Sequence, residues 1–129
     1  MRLIALRPEY QLVVEPARNR VFYQNFGPMQ TATALPHYLA DWTAALAEVQ
    51  PGFHILSDMQ VVNQTSPVLL EIFKAAERLI VAHGVGAVAE VLMPGLPTRR
   101  HSNNLTMDVA MPARQFLSIW EAAHFLDYL

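Results

Sequence analysis

The chain has 129 residues, of which 53% are hydrophobic and 16% charged, a balance that excludes intrinsic disorder and predicts one domain over residues 1–129. Nine Lys and Arg residues against eleven Asp and Glu residues give a net charge of -2, which argues against a nucleic-acid partner. The absence of cysteine excludes disulfides, thiolate metal sites and a cysteine nucleophile.

The first ten residues, MRLIALRPEY, contain only four consecutive apolar residues, too few for the apolar core of a signal peptide. No uninterrupted apolar run reaches the roughly 18 to 20 residues that cross a bilayer. We therefore expect a cytoplasmic protein without a transmembrane segment.

Two short apolar runs, YQLVV and RVFYQNF, flank the turn-rich segment EPARN. They predict an antiparallel hairpin between Tyr10 and Phe26. Within the second run, Val21 and Tyr23 are expected to face one side of the sheet and Phe22 the other.

A first amphipathic helix is predicted after the hairpin, capped by Thr33, with Pro36 in its first turn and Pro51-Gly52 as its stop. Apolar residues recur along it at spacings of three and four, as on one face of a helix. The expected buried stripe comprises Leu35, Tyr38, Leu39, Trp42, Leu46 and Val49.

The stretch VVNQTSPVLLEIF joins a short buried strand, FHILSD, to a second helix. Ser66 is its predicted N-cap, Pro67 occupies its first position, and His83-Gly84 ends it. The expected buried stripe comprises Leu69, Ile72, Phe73, Ala76 and Ile80.

GAVAEVLM predicts a further strand, which Pro94 to Pro97 interrupts. Residues 98–116 are predicted to form a short helix and then a brief strand around Arg114 to Phe116. The tail, SIWEAAHFLDYL, predicts a helix with Ser118 and Glu121 as a capping box.

This order of elements predicts an α/β domain whose sheet has a parallel portion. Three features resemble the STAS domain of anti-sigma-factor antagonists, in its SpoIIAA-like branch: the opening hairpin, the run FHILSDMQ leading into the helix at Ser66, and the tail FLSIWEAAHFL. The resemblance implies a mixed sheet of four to five strands with about four helices. It also implies a non-enzymatic regulatory or protein-binding role.

Regulatory STAS proteins accept a phosphate from a partner kinase on a serine at the start of the second helix. Thr65 and Ser66 keep this hydroxyl pair, whereas Gln64 and Pro67 replace the acid and the glycine that flank it in the family. A plain helix cap is the alternative interpretation of Ser66. Asp58, at the end of the preceding strand, is either part of this partner-contact loop or a loop-capping carboxylate.

Arg99 and Arg100 form a cationic cluster that could contact a phosphate or an anionic partner, with solvated surface as the alternative. The five histidines lack metal-ligand spacing, and the chain contains no nucleotide-binding or hydrolase motif. We therefore expect no metal site, no cofactor and no enzymatic activity.

Two function classes follow. The first is a regulatory module that contacts another protein through residues 59–67 and the helix after them. The alternative is a small-ligand or lipid-binding domain that uses apolar residues 93–97 and the arginine pair for an acidic head group.

In either case the tail aromatics Trp120, Phe125 and Tyr128 cannot all face one core, which favours a homodimer.

Overall fold

The computed structural model describes residues 1–30, 34–59, 66–92 and 111–129. The described residues form six strands and three α-helices. The strands are β1 (Arg2–Leu6), β2 (Tyr10–Glu15), β3 (Arg20–Asn25), β4 (His54–Asp58), β5 (Ala87–Val91) and β6 (Ala113–Phe116). The helices are α1 (Tyr38–Leu46), α2 (Pro67–Ala82) and α3 (Ile119–Asp127).

All six strands pair in chain order into one mixed sheet, antiparallel from β1 to β3 and parallel from β3 to β6. The predicted hairpin is confirmed as β2 and β3, and its turn includes Asn19 at a φ of 51°, a left-handed conformation that asparagine tolerates. Strand β1 was not predicted, so the sheet has six strands where four to five were expected. Its short apolar run does not alternate, and its pairing with β2 shifts register between Leu3 and Ala5.

Helices α1 and α2 pack on one face of the sheet, and α3 packs on the other, which confirms the α/β class. We refer to these as the α1/α2 face and the α3 face. The α1/α2 face carries the larger core, with sheet residues Leu12, Val14, Val21, Ile55 and Val88. On the α3 face, Ala122 and Leu126 cover Leu56, Ala87, Ala89 and Val91.

Helix α1 begins at Tyr38, later than predicted. Thr33, the expected cap, lies outside the described residues, and the described residues between it and Tyr38 are not helical. Leu35 precedes Pro36, whose ring disfavours helical backbone in the residue before it, so the helix forms only beyond the proline. Leu39 was wrongly assigned to the buried stripe, because 37% of its surface is exposed.

A partly exposed ion pair attaches α1 to the segment between β1 and β2. Arg7 donates to Asp41 from Nε at 3.0 Å and from Nη2 at 2.9 Å, and the Tyr10 hydroxyl donates to the same carboxylate. Burial alone would raise the pKa of Asp41, but the hydrogen bonds from Arg7 and Tyr10 outweigh it and lower the pKa. The bidentate geometry makes Asp41 the polar residue that orients α1 on the sheet.

The second and third helices follow the predicted pattern. Leu69, Phe73, Ala76 and Ile80 of α2 are buried, and Ile72 is half-buried. In α3, the Glu121 N–H donates to Ser118 Oγ at 3.1 Å, which confirms that cap. Within the described ranges, no helix has both the length and the apolar character that a membrane span requires.

Strand β6 confirms the predicted strand near Arg114. The short helix predicted before it and the expected break at residues 94–97 lie outside the described residues.

Candidate functional site

One row of the sheet on the α1/α2 face consists of polar side chains. The strand register pairs Tyr23 of β3 with Ser57 of β4, Ser57 with Glu90 of β5, and Glu90 with Gln115 of β6. We call these four residues the polar row. The row next to it, two residues earlier on each strand, is apolar: Val21, Ile55, Val88 and Ala113. The polar row lies toward the carboxyl ends of the parallel strands, where α/β proteins place their ligands.

Three members of the polar row, Tyr23, Ser57 and Glu90, line a cavity of about 60 Å³ between the sheet and the helices. The helices contribute aromatic, apolar and acidic side chains to its walls: Tyr38 and Trp42 from α1, and Phe73, Ala76, Glu77 and Ile80 from α2. A cavity of about 150 Å³ holds benzene, so this one has room for about two or three heavy atoms.

Glu90 is the most unusual residue in the cavity wall, because only 5% of it is exposed. Burial raises the pKa of its carboxyl group to about 7, and a hydrogen bond with Gln115 opposes part of that rise. Among the described residues, no hydrogen-bond donor reaches Glu90 Oε1. An acceptor left unsatisfied in a protein interior costs about 1–3 kcal/mol, so a donor placed in the cavity would stabilise this site.

A second acid, Glu77, lines the same cavity from α2 and is also buried. Burial raises the pKa of the nearby Tyr38 hydroxyl to about 12, and the negative charge of Glu77 adds to the rise. Hydrogen bonding with Tyr23 and the nearby Trp42 indole acts in the opposite direction. Trp42 Nε1 itself has no partner at full hydrogen-bond geometry in the described part of the chain. The cavity therefore brings together two carboxyl groups, hydroxyls and an indole N–H.

The aromatic rings of the wall pack against one another. The centroid of Tyr23 lies 5.7 Å from that of Trp42 and 6.0 Å from that of Tyr38. Tyr38 and Phe73 meet at 5.2 Å in an edge-to-face arrangement. Contacts of this kind add about 0.5–1.5 kcal/mol beyond the area that they bury, and they hold the walls in a defined shape.

Asp58, a predicted site residue, does not reach this cavity. It follows Ser57 in β4, so its side chain projects from the α3 face. There Gln24 Nε2 lies 3.5 Å from Asp58 Oδ2, and Gln11 donates to Gln24 at 2.8 Å. Asp58 therefore belongs to a separate polar strip on the opposite side of the sheet.

Ser66 caps α2, as predicted. Its Oγ accepts a hydrogen bond from the Leu69 N–H at 3.2 Å, and Pro67 occupies the start of the helix. Ser66 is also exposed, so a cap and a modifiable hydroxyl are compatible in the same residue. The other predicted site residues, Thr65, Arg99 and Arg100, lie outside the described residues.

Sequence reasoning did not identify Glu90 or Glu77 as site residues, although both left a signal. Glu90 is the one charged residue in GAVAEVLM, whereas a parallel strand covered on both faces is ordinarily an apolar run. Glu77 lies four residues after Phe73 and three before Ile80, which places it on the buried stripe of α2. An acid at a buried position is the kind of exception that marks a site.

A contrasting surface lies on the outside of α3. Trp120 is 83% exposed and Tyr128 is 79% exposed, and Leu129 extends the same apolar surface. Beside it, the Arg114 guanidinium lies 4.9 Å from the centroid of the Phe125 ring. An aromatic patch with an adjacent arginine is the composition typical of protein interfaces.

The described residues contain no cluster of three or more side chains that could hold a metal ion. No protein-family model matches the chain, and no similar curated protein or solved structure was found. The cavity and the exposed aromatic patch are therefore the grounds for assigning a function.

Proposed function

We propose that the chain is a non-enzymatic binding domain that holds a small polar molecule in the cavity beneath α1 and α2. Glu90 carries this proposal. Its carboxyl group is buried at the end of a parallel strand, and one of its oxygens lacks a donor among the described residues. A ligand that donates a hydrogen bond would offset the cost of burying that oxygen.

The composition of the cavity supports the same proposal. Its walls are mainly apolar and aromatic, with a few converging polar groups, which is the pattern of small-molecule sites. At about 60 Å³ it is smaller than the sites that enclose whole drug-sized ligands, so the ligand is either very small or inserts only its head group.

The proposal includes the SpoIIAA-like fold that the sequence resembles. A mixed sheet, two helices on one face and a C-terminal helix on the other support that assignment. Of the two function classes expected for such a domain, the acidic cavity favours ligand binding. It also favours a ligand with donor groups over the acidic head group first considered.

Native mass spectrometry with a cavity-filling variant tests ligand binding. Ala76 is buried and lines the cavity, so Ala76→Leu should occupy the space that the ligand needs. Ala82→Leu, on the exposed side of the same helix, is the matched control. We expect a small molecule to remain on the unmodified protein and on Ala82→Leu, and to be absent from Ala76→Leu. Equal retention by both variants would place the bound molecule elsewhere.

The exposed aromatic patch on α3 favours a second function, contact with another copy of the chain. Trp120 and Tyr128 expose most of their surface, although large aromatic side chains ordinarily gain stability from burial. A homodimer through this face would bury both rings against the same rings of the partner, as a two-fold interface requires.

A further inference from the structure

We propose that strands β1, β2 and β3 form, on the α3 face of the sheet, a docking site for helix α3 of a second copy of the chain. This inference rests on the homodimer proposed above and extends its interface from the helix to the sheet. It uses apolar strand residues that lie on the same side of the sheet as the aromatic patch.

Four apolar side chains of these strands project from the α3 face without being buried. The register pairs Leu3 with Val13, and Val13 with Phe22, which packs against the core under α3. Leu6 pairs with Gln11, two residues before Val13 and therefore on the same face. Leu3 and Leu6 are exposed, and Val13 and Phe22 are half-buried. We call Leu3, Leu6, Val13 and Phe22 the sheet patch.

Composition distinguishes the sheet patch from an ordinary solvated face. An antiparallel sheet can leave one face in water, and the outward positions of its strands are then commonly polar. On β2, Leu12 and Val14 point inward and are buried, yet the outward-facing Val13 is also apolar. Gln11 and Glu15 give it a polar rim on either side. Adjacent apolar residues within a polar rim are typical of an interaction site.

The sheet patch continues the surface on which α3 already packs. Phe22 pairs with Leu56 of β4, and Leu56 pairs with Ala89 of β5. Helix α3 covers Leu56 and Ala89. The row of strand residues that holds α3 therefore extends, still apolar, past the helix to Leu3, so a second helix of the same kind suits the surface beside it.

Helix α3 itself supplies the matching surface. Its inner side packs on its own sheet, while its outer side exposes Trp120 and Tyr128. Because α3 packs mainly on β4, β5 and β6, a two-fold axis along the strands would place each α3 over β1, β2 and β3 of the other copy. The two helices would then lie side by side between two sheets, and each apolar surface would be covered.

Charged groups at one end of the sheet patch are paired within the chain. Glu15 and Arg20 are register partners on β2 and β3. Arg18 Nε lies 3.4 Å from Glu15 Oε2, and Arg20 donates to Asp127 of α3 at 2.7 Å. These charges keep their partners when an apolar helix docks beside them, so an apolar partner surface suits this site better than a charged one.

Cysteine cross-linking tests the arrangement, because the chain contains no cysteine of its own. One protein carries Gln11→Cys beside the sheet patch, and an isotope-labelled protein carries His124→Cys on the exposed side of α3. The two are mixed to exchange subunits and treated with a short bismaleimide, and intact mass spectrometry identifies which chains are joined. In the control mixture Glu71→Cys, on α2 at the opposite side of the sheet, replaces Gln11→Cys.

We expect a product that joins Gln11→Cys to His124→Cys, and none that joins Glu71→Cys to His124→Cys. Leu3→Glu changes a residue that is 57% exposed and places a charge in the interface. It should reduce the mass from light scattering at tens of micromolar to that of one chain, 14.5 kDa. Val68→Glu, at 58% exposed on α2, is the matched control and should leave the dimer intact.

The other outcomes separate this inference from the homodimer itself. A dimer that Leu3→Glu leaves intact, or a dimer that gives no product between Gln11→Cys and His124→Cys, would overturn docking on the sheet and leave a dimer through α3 alone. A single-chain mass for the unmodified protein would overturn both.

Discussion

Arg20 on β3 donates a hydrogen bond from Nη2 to Oδ1 of Asp127, the last residue of α3, at 2.7 Å. Arg18 donates to the same oxygen at 2.9 Å. An acid at the C-terminal end of a helix is disfavoured by the helix dipole, so the two arginines offset that cost. The contact joins the end of α3 to the start of β3.

Replacing Asp127 by Asn should lower the melting temperature near neutral pH. The hydrogen bond from Arg20 holds the pKa of Asp127 below its usual value of 3.8. The ionised carboxylate therefore stabilises the fold above that value, and its contribution is lost as the pH falls through the lower folded-state pKa. The melting temperatures of the two proteins should converge in acid. Glu71→Gln, which changes an exposed acid on α2, is the control. A difference in melting temperature between Asp127→Asn and the unmodified protein that stays constant at all pH values would contradict the assignment.

The Ser66 cap predicts a specific loss of stability. Ser66→Ala removes the acceptor for the Leu69 N–H and should lower the free energy of unfolding by about 1 kcal/mol. Ser118→Ala removes a cap of the same geometry from α3, where Ser118 Oγ accepts at 3.1 Å, and should have a similar effect. Urea denaturation measures both. A loss in Ser118→Ala without a loss in Ser66→Ala would show that the α2 cap contributes little.

The regulatory role implied by the STAS resemblance predicts phosphorylation of Ser66 or Thr65. A phosphate on Ser66 would add nearly two negative charges at the positive end of α2, where the helix dipole favours them. Intact mass spectrometry of protein from its native host should then show a species heavier by one phosphate. That species should disappear in Ser66→Ala or in Thr65→Ala, whichever residue is modified. A mass without phosphate under the growth conditions tested would leave Ser66 as a cap.

Glu90 should make the stability of the ligand-free protein fall as pH rises. Its folded-state pKa is about 7 and its ordinary value is 4.5, so between these values the folded protein keeps a proton that the unfolded chain releases. The proton on Glu90 therefore stabilises the folded state most fully below pH 4.5. This stabilisation, about 3 kcal/mol, is lost as the pH rises from 4.5 to about 7. Glu90→Gln should remove this slope in urea denaturation, whereas Glu71→Gln should keep it. Identical slopes in the two variants would contradict the burial of an acid at this position.

The aromatic patch on α3 predicts a homodimer. Trp120→Glu places a charge at the centre of the patch and should give monomers in light scattering at tens of micromolar, where the unmodified chain should be dimeric. Val68→Glu changes an exposed apolar residue on α2 and should leave the dimer intact. A monomeric mass for the unmodified chain would contradict the prediction.

Local sequence signals predicted the hairpin, α2 and α3 because each depends on residues close together in the chain. Ser66 with Pro67, and Ser118 with Glu121, define helix starts through contacts within one turn. The start of α1 was missed because the effect of Pro36 on the residue before it outweighed the apolar spacing.

The polar row could not be predicted in the same way. Tyr23, Ser57 and Glu90 lie on three different strands and become neighbours only through the parallel register of β3, β4 and β5. Tyr23 and Ser57 are ordinary residues in their strands, and Glu90, although it is an exception in its apolar run, does not indicate which residues surround it. Periodicity reports which side of a strand a residue faces, whereas strand pairing and the helices packed above determine which residues share a cavity. Composition and spacing therefore specify most of the described helices and strands, with β1 and the start of α1 as exceptions, and the burial of two acids beside an aromatic wall follows from how those elements pack.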